Sequence, residues 1–192
     1  MSDGTFSRLE IAWLAALALA GVISYLSGLD FNLAVALSGR PSHGISIFFS
    51  TVYFALYMVG TATFLFMRDR RAGAAMVLSV ILIFLMQAAF TEFSPRARPP
   101  QAMPAGDWLM DLIKKSGGTS SFFSGHTAGA VAVATTCMLV GMEPLLMYSL
   151  AAPIAISRIT LVQHYLSDVV GGVIFGYVTA KLVFSAFKKR RA

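Results

Sequence analysis

The chain has 192 residues, 57% of them hydrophobic and 12% charged, with a formal net charge of +6. So little charge over so apolar a composition excludes an ordinary soluble domain, and apolar runs of about eighteen residues or more place the chain among polytopic helical membrane proteins. The positive balance is no nucleic-acid footprint, because the basic residues gather at the ends of the apolar runs, as membrane topology demands.

In chain order, Met1 to Glu10 is polar, and the apolar stretch after it lacks a small-residue cleavage site before Gly28-Leu29-Asp30. It reads as a retained first helix, about Leu9 to Leu26, and not as a cleaved signal peptide. Five more spans follow: Ile45 to Met67, Ala74 to Phe90, Ala128 to Met142, Leu145 to Ile159 and Val169 to Phe187. The expected fold class is therefore all-α, a six-transmembrane helix bundle formed by residues 1–192 as a single membrane-embedded domain. With both termini cytoplasmic, Arg8, Arg68, Arg70, Arg71 and Lys188 to Arg191 fall inside, following the positive-inside rule. Arg40, Arg96, Arg98, Lys114, Lys115 and Arg158 then fall on the outer side, where catalysis is the expected reason for them.

The longest connection, 91–124, is an outer loop that opens with Ser94-Pro95-Arg96-Ala97-Arg98-Pro99-Pro100, too rich in proline to extend a helix. Within it, Trp108 to Lys115 reads as a short amphipathic helix at headgroup level. Cys137 reads as a small packing residue and Gln87 as an interhelical hydrogen-bonding group. Glu143-Pro144 reads as the turn between the fourth and fifth spans. Gly172 and Gly176 form a small-xxx-small face that, against the alanines after Ala128, would bring His126 and His164 together. His43 reads as an ordinary loop residue, while Asp30 and Glu92 sit near the outer face, where they could bias the site or be ordinary interfacial carboxylates.

Chemistry concentrates in Ser157 to Asp168. His164 and Asp168 are four residues apart, so on a helix the carboxylate reaches one imidazole nitrogen and leaves the other free as base or nucleophile. Arg158 offers a planar cation suited to a phosphoryl group. Ser124 and Gly125 at the start of the fourth span form an anion cradle of free backbone N–H groups, with His126 beside it. Two histidines, two arginines and an aspartate around one anion site point to phosphoryl transfer with one histidine as nucleophile and one as acid.

Arg98-Pro99, then Ser124-Gly125-His126, then Ser157-Arg158 with His164 and Asp168, resembles the type-2 phosphatidic acid phosphatase superfamily over roughly residues 91 to 170. Those are six-span lipid phosphate phosphatases with a site related to that of vanadium haloperoxidases. The resemblance implies that His164 attacks phosphorus, Asp168 holds its other nitrogen, and His126 protonates the leaving oxygen and later activates water. It also implies that Arg98, Arg158, Ser124 and the Gly125 N–H bind the phosphoryl oxygens. No metal or other cofactor is implied, since the arginines supply the positive charge. Two positions depart from the family pattern: Thr91 stands where a lysine is usual, and Phe123 where a proline is usual before Ser-Gly-His. Arg96 is the candidate replacement for the missing ammonium.

The expectation is a metal-independent phosphatase of isoprenyl diphosphate, phosphatidic acid or phosphatidylglycerol phosphate, with lipid A phosphates also among the candidates. Its partners would be a lipid phosphate substrate and the bilayer, and no nucleic acid. It would be an integral protein of a bacterial or archaeal plasma membrane with the site on the outer face. Two alternatives use the same residues: a lipid phosphotransferase, or a catalytically degenerate phospholipid-binding relative.

Overall fold

The computed structural model describes residues 6–37, 43–93, 96, 98–99 and 120–189. The expected headgroup-level helix at Trp108 to Lys115 lies outside them. Among the described residues the chain is helical, without strands: α1 (Arg8–Leu26), α2 (Leu29–Leu37), α3 (His43–Phe48), α4 (Phe54–Arg68), α5 (Arg70–Phe93), α6 (Gly125–Leu139), α7 (Pro144–Thr160) and α8 (Leu166–Lys189). A π-helical turn, Phe49–Tyr53, joins α3 to α4.

Local chemistry sets the boundaries. Ser7 and Glu10 form a reciprocal capping box that starts α1. Gly28, at φ +73°, reverses the chain into α2, a conformation that glycine adopts without a Cβ penalty. Asp69 alone separates α4 from α5: its extended backbone ends the first helix, and its carboxylate accepts from the N–H groups of Arg71 (2.9 Å) and Ala72 (3.4 Å). Glu143 caps α7 and Pro144 occupies its first position, as the sequence suggested for that turn.

Four described stretches are long and apolar enough to cross a membrane: Arg8–Leu26, Gly44–Arg68, Arg70–Thr91 and Leu166–Lys188. Pro144–Thr160 is a shorter apolar helix. Their outward faces carry Leu19, Val22, Leu56, Val59, Leu85 and Leu145, which suits hydrocarbon rather than water. This is an integral membrane protein.

The helix α6 differs from the rest. Every residue from Gly125 to Cys137 except His126 is buried, Cys137 fully so, because α8, α7 and α5 pack around it. The glycine face of α8 makes the closest approach. A Cβ at Gly172 would lie 2.7 Å from the Ser124 carbonyl oxygen, and one at Gly176 would strike the Ala128 backbone. That contact carries the first turn of α6 against the first turn of α8, the two ends that hold His126 and Asp168.

Candidate active site

The segment Ser121 to Ser124 enters the site from Arg96, whose carbonyl accepts the Ser121 N–H at 2.8 Å. Phe123, in the place of the usual proline, is fully buried; its ring stacks on Phe175 (centroids 4.4 Å apart) and meets Phe90 edge-on. Gln87 donates from Nε2 to the Phe123 carbonyl at 3.2 Å, so the interhelical bond expected of it goes to this segment. Side-chain packing thus fixes a stretch that proline would fix through its backbone.

Ser124 is the N-cap of α6: its hydroxyl accepts from the Thr127 N–H (3.5 Å) and hydroxyl (2.9 Å), and its own N–H donates to the Asp168 carbonyl at 3.0 Å. Gly125 begins the helix, where backbone N–H groups have no intrahelical acceptor. His126 lies against Phe54, ring centroids 4.5 Å apart, within the electrostatic reach of His164, Arg158 and Arg98.

Arg158 is buried in the last turn of α7. Its Nη1 donates to the Ser50 hydroxyl in the π-helical turn, and its Nε has no partner among the described residues. The Arg158 carbonyl accepts the N–H groups of Gln163 (3.1 Å) and His164 (3.3 Å), folding the chain back beyond α7 through Val162 at φ +53°. A β-branched residue in the left-handed region is strained, and such strain clusters at functional sites.

His164 is where structure and expectation differ in detail. Its Nδ1 lies 2.7 Å from the Ser121 carbonyl oxygen, while Asp168 Oδ2 is 3.8 Å away, an ion-pair contact too long for a hydrogen bond. A carbonyl only accepts, so Nδ1 carries the proton and Nε2 presents its lone pair. The free nitrogen expected from the sequence results, but a backbone oxygen fixes it. Asp168 is drawn elsewhere: Oδ2 accepts the Tyr165 N–H at 2.9 Å, capping α8, and Oδ1 accepts Arg96 Nη1 at 2.5 Å. Burial lowers the His164 pKa; Asp168 opposes this and Arg158 and Arg98 add to it, for a net fall to about 4. Burial also lowers the Arg98 pKa, with Asp168 opposing.

Arg96, the candidate replacement cation, has its donors on carboxylates. Besides Asp168 it reaches Ser167 Oγ (2.7 Å) and Asp30 Oδ2 (2.7 Å), with its guanidinium over the rings of Tyr25 and Tyr165. Thr91 turns its hydroxyl back onto the Gln87 carbonyl of its own helix at 3.0 Å. Ser50 and Ser121 are the neighbours that sequence reasoning missed, and Asp30 is the one it placed near the site without naming its partners, Arg96 and Ser167. Beside Arg96, a cleft of about 860 Å³ lined by Tyr25, Phe122, Ser167, Gly171 and Phe175 opens between α1 and α8, and neither histidine lines it.

Residues 70–192 match the model of the PAP2 superfamily. The chain is 24% identical over 183 residues to the lipid A 4'-phosphatase of Porphyromonas gingivalis, covering 88% of this chain and 78% of that protein. In fold it resembles the transmembrane PAP2-type phosphatidylglycerolphosphate phosphatase of Bacillus subtilis, with a TM-score of 0.65, 21% identity and 95% coverage of both chains. It also resembles Aquifex aeolicus LpxE, with a TM-score of 0.62, 21% identity and coverage of 81% of this chain and 94% of that one.

Proposed function

This chain belongs to the PAP2 superfamily, and on that premise we propose that it hydrolyses a membrane lipid phosphate or diphosphate through a phosphohistidine on His164. The observation that carries the reading is Arg158: its buried guanidinium donates to the Ser50 hydroxyl and is paired with no carboxylate among the described residues, and it lies within electrostatic reach of a second guanidinium, Arg98. Two like charges held together in low dielectric repel, and a phosphoryl dianion between them relieves that repulsion.

In the first step His164 Nε2 bonds to phosphorus, the bond from phosphorus to the lipid oxygen breaks, and His126 gives its proton to that oxygen. In the second step water, deprotonated by His126, attacks the phosphohistidine, phosphate leaves and neutral His164 is restored. Arg98, Arg158, Ser124 and the Gly125 N–H hold the non-bridging oxygens while charge redistributes over them. Asp168 faces the imidazole and stabilises the charge it gains on phosphorylation.

The named relatives act on lipid A at its 4'-phosphate and on phosphatidylglycerolphosphate, so a phosphate on a membrane lipid is their common feature. Isoprenyl diphosphate and phosphatidic acid share it. The reading includes a six-span topology with both termini cytoplasmic and the site on the outer face of a bacterial or archaeal plasma membrane.

The test is phosphate release from these lipids in detergent with EDTA present. The wild type should release phosphate, and His164→Ala should reduce release by about 10⁴-fold or more. Release by His164→Ala at the wild-type rate would sink the phosphohistidine assignment.

A further inference from the structure

Behind Asp168 lies a second buried carboxylate. Asp30, in α2, is 4% exposed and accepts the Ser24 hydroxyl (2.7 Å), the Ser167 N–H (3.0 Å), the Ser167 hydroxyl and Arg96 Nη2 (2.7 Å). Arg96 bridges the two carboxylates, with Nη1 on Asp168 at 2.5 Å and Nη2 on Asp30. Its backbone also serves the site: the Arg96 carbonyl holds the Ser121 N–H, and the Ser121 carbonyl holds His164 Nδ1. One residue therefore ties down both groups that face the same imidazole nitrogen.

We propose that Arg96 is a positioning residue, locked by Asp30, which turns the Asp168 carboxylate away from hydrogen-bonding distance of His164 and sets how much negative charge the nucleophile feels. This rests on the phosphohistidine reading above and removes Arg96 from the phosphate ligands. The geometry decides between those two roles. Nη1 donates to Asp168 and Ser167 and Nη2 to Asp30, so two carboxylates neutralise the cation, and the rings of Tyr25 (4.9 Å) and Tyr165 (4.4 Å) pack on the guanidinium. A cation meant for a phosphate would not already be neutralised by two carboxylates. Asp30 lies far from Arg96 in sequence, and with four donors upon it, it keeps Arg96 from swinging toward an incoming anion.

The charged and titratable groups facing His164 are Asp168 from α8, Arg158 from α7, Arg98 from the connection after α5 and His126 from α6. Behind Asp168 stand Arg96, Asp30 and Tyr165. Removing the Arg96 charge frees Asp168 to bond His164, which favours the imidazolium and moves the acid limb of the rate profile to higher pH.

The experiment is the pH dependence of kcat and KM for phosphatidic acid hydrolysis in detergent micelles, from pH 3.5 to 8.5, for wild type, Arg96→Gln, Arg96→Lys and Asp30→Asn, with His164→Ala as control. Arg96→Gln should lower kcat about tenfold to hundredfold, leave KM within about threefold, and raise the acid limb by about one pH unit. Arg96→Lys, which keeps the charge, should recover most of the limb position. Asp30→Asn, which keeps the size and acceptor oxygen, should lower kcat without raising KM, and it decides the question alone if Arg96→Gln does not fold. A rise in KM with the limb unmoved would return Arg96 to the phosphate ligands and overturn the proposal. Loss of thermal stability alone, with kcat, KM and limb unchanged, would overturn it equally. Activity retained by His164→Ala would instead remove the reading on which it rests.

Discussion

At the scale of single residues, the site sets its groups with neighbours that carry no catalytic signature. The Ser50 hydroxyl, aimed by a π-helical turn of the kind that recurs at functional sites, meets Arg158 Nη1. Ser50→Ala would leave that buried cation with one partner fewer. KM for the lipid phosphate should rise about tenfold, the equivalent of a hydrogen bond to a charged group, with the circular dichroism spectrum unchanged. His164 makes a second prediction. Its pKa falls from 6.5 to about 4 on folding, so above pH 6.5 it is neutral in both states and contributes nothing to the pH dependence. Between pH 6.5 and 4 the unfolded chain takes up a proton that the folded chain refuses, so stability is lost as pH falls across that window. Thermal unfolding in detergent, followed from pH 7 to 4, should show a decline that His164→Gln lessens.

At the scale of elements, the contact between α6 and α8 bears the most weight. A Cβ at Gly176 would collide with the Ala128 carbonyl, so Gly176→Ala must push the two helices apart at the point that aligns their first turns. It should cost about 1–3 kcal/mol of stability and most of the activity, measured as Tm and as phosphate release. Phe123→Ala, which empties the space under Phe90 and Phe175, should cost about 3–5 kcal/mol by the same Tm assay. These elements also show what a sequence makes legible. Each of the six apolar runs coincides with helix: α1, α3 with α4, α5, α6, α7 and α8, because hydrocarbon burial is written in composition. The nine-residue α2 was not read, since Leu29 to Leu37 is too short to span and has no polar face to give it a period. The two histidines and Arg158 were legible because their spacing is tied to helix ends. For Asp30 only its place near the outer face was legible, because its contact with Ser167 joins residues that only the fold brings together. The Ser121 carbonyl could not be, because a backbone oxygen has no letter of its own.

At the scale of the whole molecule, α1 and α8 are joined at the end remote from the histidines. Lys181, 4% exposed on α8, contacts Glu10 of α1, which also accepts the Tyr177 hydroxyl; the ring of Phe6 covers the ammonium at 4.6 Å. Glu10→Gln removes the counter-charge and should destabilise the fold by about 2–3 kcal/mol, read as a lower Tm, whereas combining it with Lys181→Met should restore most of the loss. The same pair has a bearing on how the protein is made. Glu10 is synthesised 171 residues before its partner Lys181, so the acidic group in α1 stays uncompensated until α8 has been made. Asp168 is delivered in that same helix, α8. The ion pair that joins α1 to α8 and the carboxylate of the proposed site therefore arrive with the same helix, and a nascent chain halted before Leu166 has neither.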